Sequence, residues 1–301
     1  MGSMEFAELG RRLQEIKSAP GIFITGIGMI LVGAGFKLAI VPFHMWTADI
    51  YQGAPAPVTA FIATASKGGM FAVLFRLFSS INGFEFREIS VIITSIAIAS
   101  MLIGNLLALK QNNVKRILAY SSIAHFGYLF VAFIPGSRMS LEAISFYIMA
   151  YFITTLTAFG IVTLLSVTEN DAEDITTYRG LFWRHPVLAC IFTAALLSLA
   201  GIPLTVGFMG KFYVLAAGLQ GGYWLSAIIL VLSSVIGLFY YLRIITTMFT
   251  VAEEIEVAEK KAHPGFYIAS GVVLSLTTFY ILWLGLYPSG MMEFMTSLLN
   301  K

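Results

Sequence analysis

Three lysines stand inside apolar runs of this 301-residue chain, each beside residues that break a helix or let helices approach closely. Lys37 lies in Gly35-Phe36-Lys37-Leu38-Ala39-Ile40-Val41, which Pro42 interrupts before the run should end. Lys67 sits in the middle of a second run, among Ala63, Thr64, Ala65, Ser66, Gly68 and Gly69. Lys211 follows Pro203, Gly207 and Gly210, repeating the combination of broken helix and amine. An ionisable side chain in hydrocarbon normally pairs with a carboxylate or lines a water-filled path. Of the sixteen acidic residues only Glu142 falls in such a run, where it opens it. A buried amine without a counter-ion is suited to giving up and retaking a proton.

Each residue has a plainer reading beside the chemical one. Lys67 lies ten residues after Pro57 and twelve before Ser79. At about 1.5 Å per residue that is roughly 15 Å from either end, beyond the reach of a lysine side chain. Its small neighbours also permit close helix packing. Lys37, four residues before the end of its run, either snorkels to the interface or belongs to a helix interrupted at Pro42 with Gly33 and Gly35. For Lys211, the carbonyls freed at Gly201-Ile202-Pro203 can line a hydrated cavity; alternatively Pro203 only kinks a packed helix. His125, with Tyr120, Ser121, Ser122 and Tyr128 around it, has the ordinary titration range to relay protons between lysines, or is a hydrogen-bonded core residue. His44 reads as bonding the backbone freed at the first break. Glu142 reads as an entry or exit acid, or as a match to a helix dipole.

The elements that must hold these residues follow from composition. A chain 58% hydrophobic and 11% charged, with mean hydropathy +0.86, is an integral membrane protein whose surroundings are the lipid bilayer. A net charge of +2 argues for no nucleic-acid partner. One cysteine, Cys190, excludes an internal disulfide or a cysteine cluster for metal or iron–sulfur. There is no Walker A loop and no glycine-rich dinucleotide fingerprint. The chain itself is expected to bind no cofactor, and any redox chemistry falls to partners. Eight apolar segments, near 21–41, 57–79, 89–109, 116–134, 142–166, 187–219, 224–249 and 266–287, are long enough to cross a bilayer. None shows the alternation of a barrel strand, so helices are the remaining way across. The expected fold is therefore an all-α polytopic membrane protein of about eight transmembrane helices, two of them broken. Interrupted segments in corresponding places (21–55 and 187–219) point to an internal repeat with an ion path at the midplane.

Loop charges set the orientation. One side carries Arg76, Arg87, Arg138 and Lys301, with Arg11, Arg12 and Lys17 in a polar N-terminal tail. The other carries Lys110, Lys115, Arg116, Arg179, Arg184, Arg243, Lys260 and Lys261. Setting the tail aside, the positive-inside rule places the second side in the cytoplasm and both termini outside. The tail, residues 1–19, lacks the layout of a signal peptide.

The residues also carry a resemblance. Gly35-Phe36-Lys37, Val41-Pro42-Phe43-His44-Met45-Trp46 and Asp49-Ile50-Tyr51-Gln52-Gly53-Ala54-Pro55-Ala56-Pro57-Val58 resemble the signature of the antiporter-like membrane subunits of respiratory complex I, most closely the N-subunit type of bacterial NADH–quinone oxidoreductase. Ala63–Lys67, Asn112–Tyr128, Ser198–Pro203 and Gly207–Tyr213 extend it, so that it runs from about residue 20 to the C-terminus. The resemblance implies a fourteen-helix fold with two inverted five-helix repeats, each containing one broken helix. Within it, 20–79 would be the last two helices of the first repeat, 80–249 the second repeat, and 250–301 a loop and the C-terminal helix. The first six helices would be absent, so the chain is expected to begin partway through a larger protein. By the same resemblance Lys37 and Lys211 match the lysines of the two broken helices, Lys67 the central-axis lysine, and His125 a polar residue of that axis. The implied function is proton translocation driven by electron transfer from NADH to quinone. NADH, FMN, iron–sulfur clusters and quinone would be held by partner subunits, and the partners would be the other membrane-arm subunits, in a bacterial inner membrane. Two alternatives share the lysines or the helices: a subunit of a multi-subunit cation/proton antiporter or membrane-bound hydrogenase, and a non-transporting membrane scaffold.

Overall fold

The computed structural model describes residues 5–15, 21–168, 172–251 and 264–299; among these the regular structure is helical, with one antiparallel bridge between Asn113 and Asp174. Lys17, Lys260, Lys261 and Lys301 of the loop-charge argument lie outside the described residues. Helix α1 (Phe6–Glu15) is the amphipathic part of the polar tail. Helix α2 (Gly21–Leu38) breaks and resumes as α3 (Trp46–Gly53). A continuous rod follows, made of α4 (Ala56–Phe61), a π-helical turn (Ile62–Ser66) and α5 (Lys67–Ser80). Next come α6 (Arg87–Leu109), α7 (Val114–Phe133), α8 (Arg138–Thr168) and the short α9 (Leu181–Arg184). Helices α10 (Pro186–Ala200) and α11 (Val206–Gln220) are the halves of a second broken segment. The chain closes with α12 (Trp224–Phe249), α13 (Pro264–Leu286) and α14 (Ser289–Leu299).

Six of these, the α4–α5 rod, α6, α7, α8, α12 and α13, are long and apolar enough to cross a membrane. With the two broken segments they account for the eight expected spans. The boundaries shift where caps decide them. Helix α7 starts at Val114 because the Asn113 side chain accepts from the Arg116 backbone N–H at 3.0 Å. Helix α8 starts at Arg138 because Ser137 and Ser140 cap each other's backbone N–H at 3.2 and 3.1 Å. The π turn before Lys67 and the C-terminal α14 were not foreseen.

Both broken segments end their first half in the same way. At the second break Gly201 takes φ +82°, the Ile202 N–H reaches Leu197 O and the Gly201 N–H reaches Ser198 O, each at 3.0 Å. At the first, Ala39 takes φ +59°, with Ile40 N–H on Gly35 O at 3.0 Å and Ala39 N–H on Phe36 O at 3.1 Å. This is the Schellman arrangement, which satisfies the fourth- and third-last carbonyls of the helix and leaves the final two free.

Helix α7 lies at the centre, 89% buried, whereas α13 at the periphery is 22% buried. The more buried helix is the less apolar of the two, the pattern expected when hydrocarbon is the solvent and polar groups turn inward. Helices α6 and α7 approach backbone to backbone: a Cβ on Gly104 would meet Ala124 N at 2.8 Å, and one on Gly127 would meet Met101 N at 2.9 Å. At one end a cluster of Phe71, Phe75, Phe78, Phe84, Phe130 and Phe133 locks α5 to α7, with ring centroids 5.1–5.8 Å apart. Edge-on ring pairs of this kind contribute about 0.5–1.5 kcal/mol each beyond burial.

Candidate functional site

Lys67 begins α5 directly after the π turn, a local widening often found at functional sites. Its side chain is wholly buried and donates to Ser122 Oγ at 2.8 Å. Ser122 in turn donates to Ala119 O at 2.8 Å, so a lone pair is left for the amine. The rings of Tyr51 and Phe126 lie 5.5 and 5.3 Å from Lys67 Nζ, a favourable position for its charged form.

Lys211 projects from α11 onto the end of α10. It donates to Leu199 O at 2.9 Å, Ala200 O at 2.7 Å and Ser234 Oγ at 2.7 Å. Leu199 and Ala200 carry the two carbonyls that the Schellman turn leaves free. The carbonyls freed at the break, read from the sequence as able to line a hydrated cavity, are bonded by the Lys211 amine itself. Gly201 makes this possible, because a Cβ there would stand 2.8 Å from Lys211 Cδ. A groove of about 240 Å³, walled by Phe208, Phe212, Leu230 and Val235, reaches Lys211 and Ser234 from the apolar surface.

His125 sits between the two lysines on α7. Its Nδ1 meets Tyr147 Oη at 2.7 Å and its Nε2 meets Tyr241 Oη at 3.3 Å. Ser122, His125 and Tyr128 are spaced three apart and so form one stripe of α7, spanning about 9 Å. The first bonds Lys67, and the last lies beneath Lys211, whose Nζ is 5.1 Å from the Tyr128 ring. This stripe brings Lys67, His125 and Lys211 together. A void of about 10 Å³ lies between His125, Tyr147, Tyr151, Thr154, Ser198 and Gly207, beside the α10 break.

Lys37 does not join them. It lies exposed on α2, and no described residue bonds its amine. The combination of broken helix and amine is therefore unlike at the two breaks, since Lys37 is on the half before its break and Lys211 on the half after. His44 is buried beside the Pro42 backbone, and its Nδ1 has no hydrogen-bond partner among the described residues. Glu142 accepts from Arg138 at 3.3 Å and from Thr296 of α14 at 3.3 Å.

Two polar clusters escaped the sequence reading. One holds α3 to α7: Lys115 pairs with Glu173 at 2.9 Å and reaches Gln52 O and Ala54 O, at the end of α3, at 3.3 and 3.4 Å. Glu173 also accepts from Gln52 and Asn113, at 3.1 and 2.8 Å. Partial burial works to raise the Glu173 carboxyl, but the hydrogen bonds from Lys115, Asn113 and Gln52 and the Lys115 charge outweigh it and hold it below 4.5. Nearby, Arg116 pairs with Asp49 at 2.6 Å. These residues are ordinary surface types in sequence, with more than 50 positions between the partners. The other cluster surrounds Asn105. It is buried between α6, α7 and α12, and its only sequence signal is an amide in an apolar run. No group of His, Cys, Asp and Glu among the described residues could hold a metal ion.

Residues 1–237 match the family model described as NADH:quinone oxidoreductase/Mrp antiporter, TM. The chain is 48% identical over 294 residues to NADH-quinone oxidoreductase subunit N of Ectopseudomonas mendocina, covering 97% of this chain and 59% of that protein. A chain of respiratory complex I from Thermus thermophilus, solved with bound aureothin, superposes with TM-score 0.79 at 31% identity, over 96% of this chain and 65% of that one. A chain of the Mrp complex from Dietzia sp. superposes with TM-score 0.85 at 22% identity, covering 98% of this chain and 62% of that one, a likeness of fold. The chain thus spans less than two thirds of the length of each.

Proposed function

This chain belongs to the NADH:quinone oxidoreductase/Mrp antiporter transmembrane family, and from that premise we propose that it is the proton-translocating part of a membrane-arm subunit of an NADH–quinone oxidoreductase. The observation that carries the proposal is the α7 stripe: a wholly buried lysine, a histidine and a second buried lysine in series, each held by hydroxyls or carbonyls instead of carboxylates. In such a setting a lysine can lose its proton without leaving a buried counter-charge unpaired, whereas a carboxylate partner would hold the charge in place. Lys67 and Lys211 take the role of proton carriers, His125 relays between them, and Lys37 serves where the path continues beyond this chain. In this reading 20–79 is the end of a first inverted repeat, and 80–249 a second one containing the α10–α11 break.

The redox chemistry belongs to other subunits, which hold NADH, FMN, iron–sulfur clusters and quinone. The partners are the neighbouring membrane-arm subunits, and the site is a bacterial inner membrane with both termini on the periplasmic face. An antiporter subunit is the second reading, favoured by the Mrp fold likeness; the 48% identity to a subunit N favours the oxidoreductase. In the assembled complex, Lys67→Met keeps the side-chain volume and removes the exchangeable proton. Proton pumping is expected to collapse while assembly persists. Unchanged pumping would refute the role of Lys67, and loss of assembly would favour a scaffold.

A further inference from the structure

Helix α3 has only eight residues, Trp46–Gly53, and lies between two interruptions of the chain. The turn around Pro42 precedes it, and at its other end Ala54 takes the extended backbone that a following proline imposes. A helix shorter than about 12 residues is not stable by itself. What fixes α3 in place must come from outside it. Its position matters because it carries Tyr51. That side chain is wholly buried, lies edge-on to Phe159 with ring centroids 6.1 Å apart, and sets its ring 5.5 Å from Lys67 Nζ.

The fixing groups come from the first turn of α7. Lys115 and Arg116 stand there, two cations at the positive end of a helix dipole, where acidic side chains are the favoured type. The compensating partners are on α3 and at Glu173. Lys115 Nζ reaches Gln52 O at 3.3 Å and Ala54 O at 3.4 Å, at the negative end of α3, where a cation is favoured. One oxygen of Glu173 accepts from Lys115 at 2.9 Å, and the other accepts from Gln52 Nε2 at 3.1 Å. The Glu173 backbone O accepts from the Val114 N–H at 2.6 Å, which ties the carboxylate to the same end of α7. The second pair, Arg116 with Asp49, lies at the surface, with the Asp49 side chain 73% exposed, and an ion pair there adds little. Lys115 is 4% exposed, so its bonds are the ones shielded from water. The carbonyls it holds begin one residue after Tyr51. Two turns further along the same face of α7, roughly 10 Å away, Ser122 holds the Lys67 amine. One face of α7 therefore sets both the end of α3 and the amine that Tyr51 meets.

We infer that Lys115 is a positioning residue: with Glu173 it anchors the end of α3 so that the Tyr51 ring stays over the Lys67 amine. The inference deepens the proposed function and rests on Lys67 as a proton carrier. A ring within about 6 Å of an ammonium favours its charged form, so the place of Tyr51 bears on how Lys67 holds and releases its proton. Without the anchor, α3 is free to shift at the interruptions on either side of it.

The test is nitrogen NMR of the full chain in lipid bilayers, labelled with ¹⁵N-lysine, with Lys67→Met identifying the Lys67 signal. Tyr51→Leu removes the ring and defines the shift that its loss produces. Lys115→Met should move the Lys67 signal in the same direction. The double variant should show no more than the Tyr51→Leu shift, because Lys115 acts through the ring. Lys110→Met, which removes an exposed cation five residues away, should match the wild type. An unchanged Lys67 signal in Lys115→Met, or a shift that adds in full to that of Tyr51→Leu, would overturn the inference; the second result would mean that only the charge of Lys115 is felt. If Lys115→Met fails to fold, Glu173→Gln with and without Tyr51→Leu decides by the same comparison. Proton transport by complexes carrying the same variants separates the two levels: a shifted Lys67 signal with full transport keeps the positioning role and removes Lys67 as a carrier.

Discussion

Gly207→Ala tests whether the α10–α11 break is built to hold Lys211. The Gly207 N–H donates to Ser198 Oγ at 3.1 Å, and an added Cβ would lie 1.9 Å from Ser198 O. Relief to 3.0 Å, a separation below which real Cβ contacts essentially never fall, requires α11 to retreat from α10 by at least about 1.1 Å. Lys211 is one turn further along the same face of α11. A retreat of that size takes its bonds to Leu199 O and Ala200 O, now 2.9 and 2.7 Å, to roughly 4 Å, outside hydrogen-bonding range. Overpacking of this kind costs about 1–3 kcal/mol, against roughly 1 kcal/mol that alanine gains over glycine in a helix. Each bond from a charged donor adds about 1.5–3 kcal/mol when lost. The expected result is a clearly lowered melting temperature for the purified chain and a loss of proton transport in the complex. Gly271→Ala, on α13 where nothing lies within 4 Å, is the control and should be neutral or slightly stabilising. If Gly207→Ala and Gly271→Ala behave alike in both assays, the break does not position Lys211.

Ser122→Ala removes the one hydrogen-bond acceptor of the Lys67 amine among the described residues, at about 1.5–3 kcal/mol; transport should fall while Lys67 remains, and Ser122→Thr, which keeps a hydroxyl, should retain it. Glu173 gives a pH dependence whose sign follows from its depressed carboxyl. Its stabilisation is complete above the ordinary value of 4.5 and is lost as pH falls through the lower folded value. The melting temperature of the wild type should therefore drop more steeply below pH 4.5 than that of Glu173→Gln, and equal slopes would show that the Lys115–Glu173 clamp does not stabilise the fold.

Sequence alone determined the membrane class, the eight spans and both breaks, because these depend on local properties: an apolar run about 20 residues long and a proline inside it, joined at the second break by a glycine where the chain turns left-handed. It also singled out Lys67, Lys211 and His125, since an ionisable group in hydrocarbon is conspicuous wherever its neighbours are. Their partners were not legible. Ser122, Ser234 and the carbonyls of Leu199 and Ala200 are unremarkable residues of apolar helices, and only the packing of α7 and α12 against the breaks turns them into acceptors. The same packing separated Lys37, exposed on α2, from the lysines it resembled in sequence. Asn105 shows the limit most plainly. An amide in an apolar run says nothing about its partners, because they come from helices that meet it only after the chain has folded.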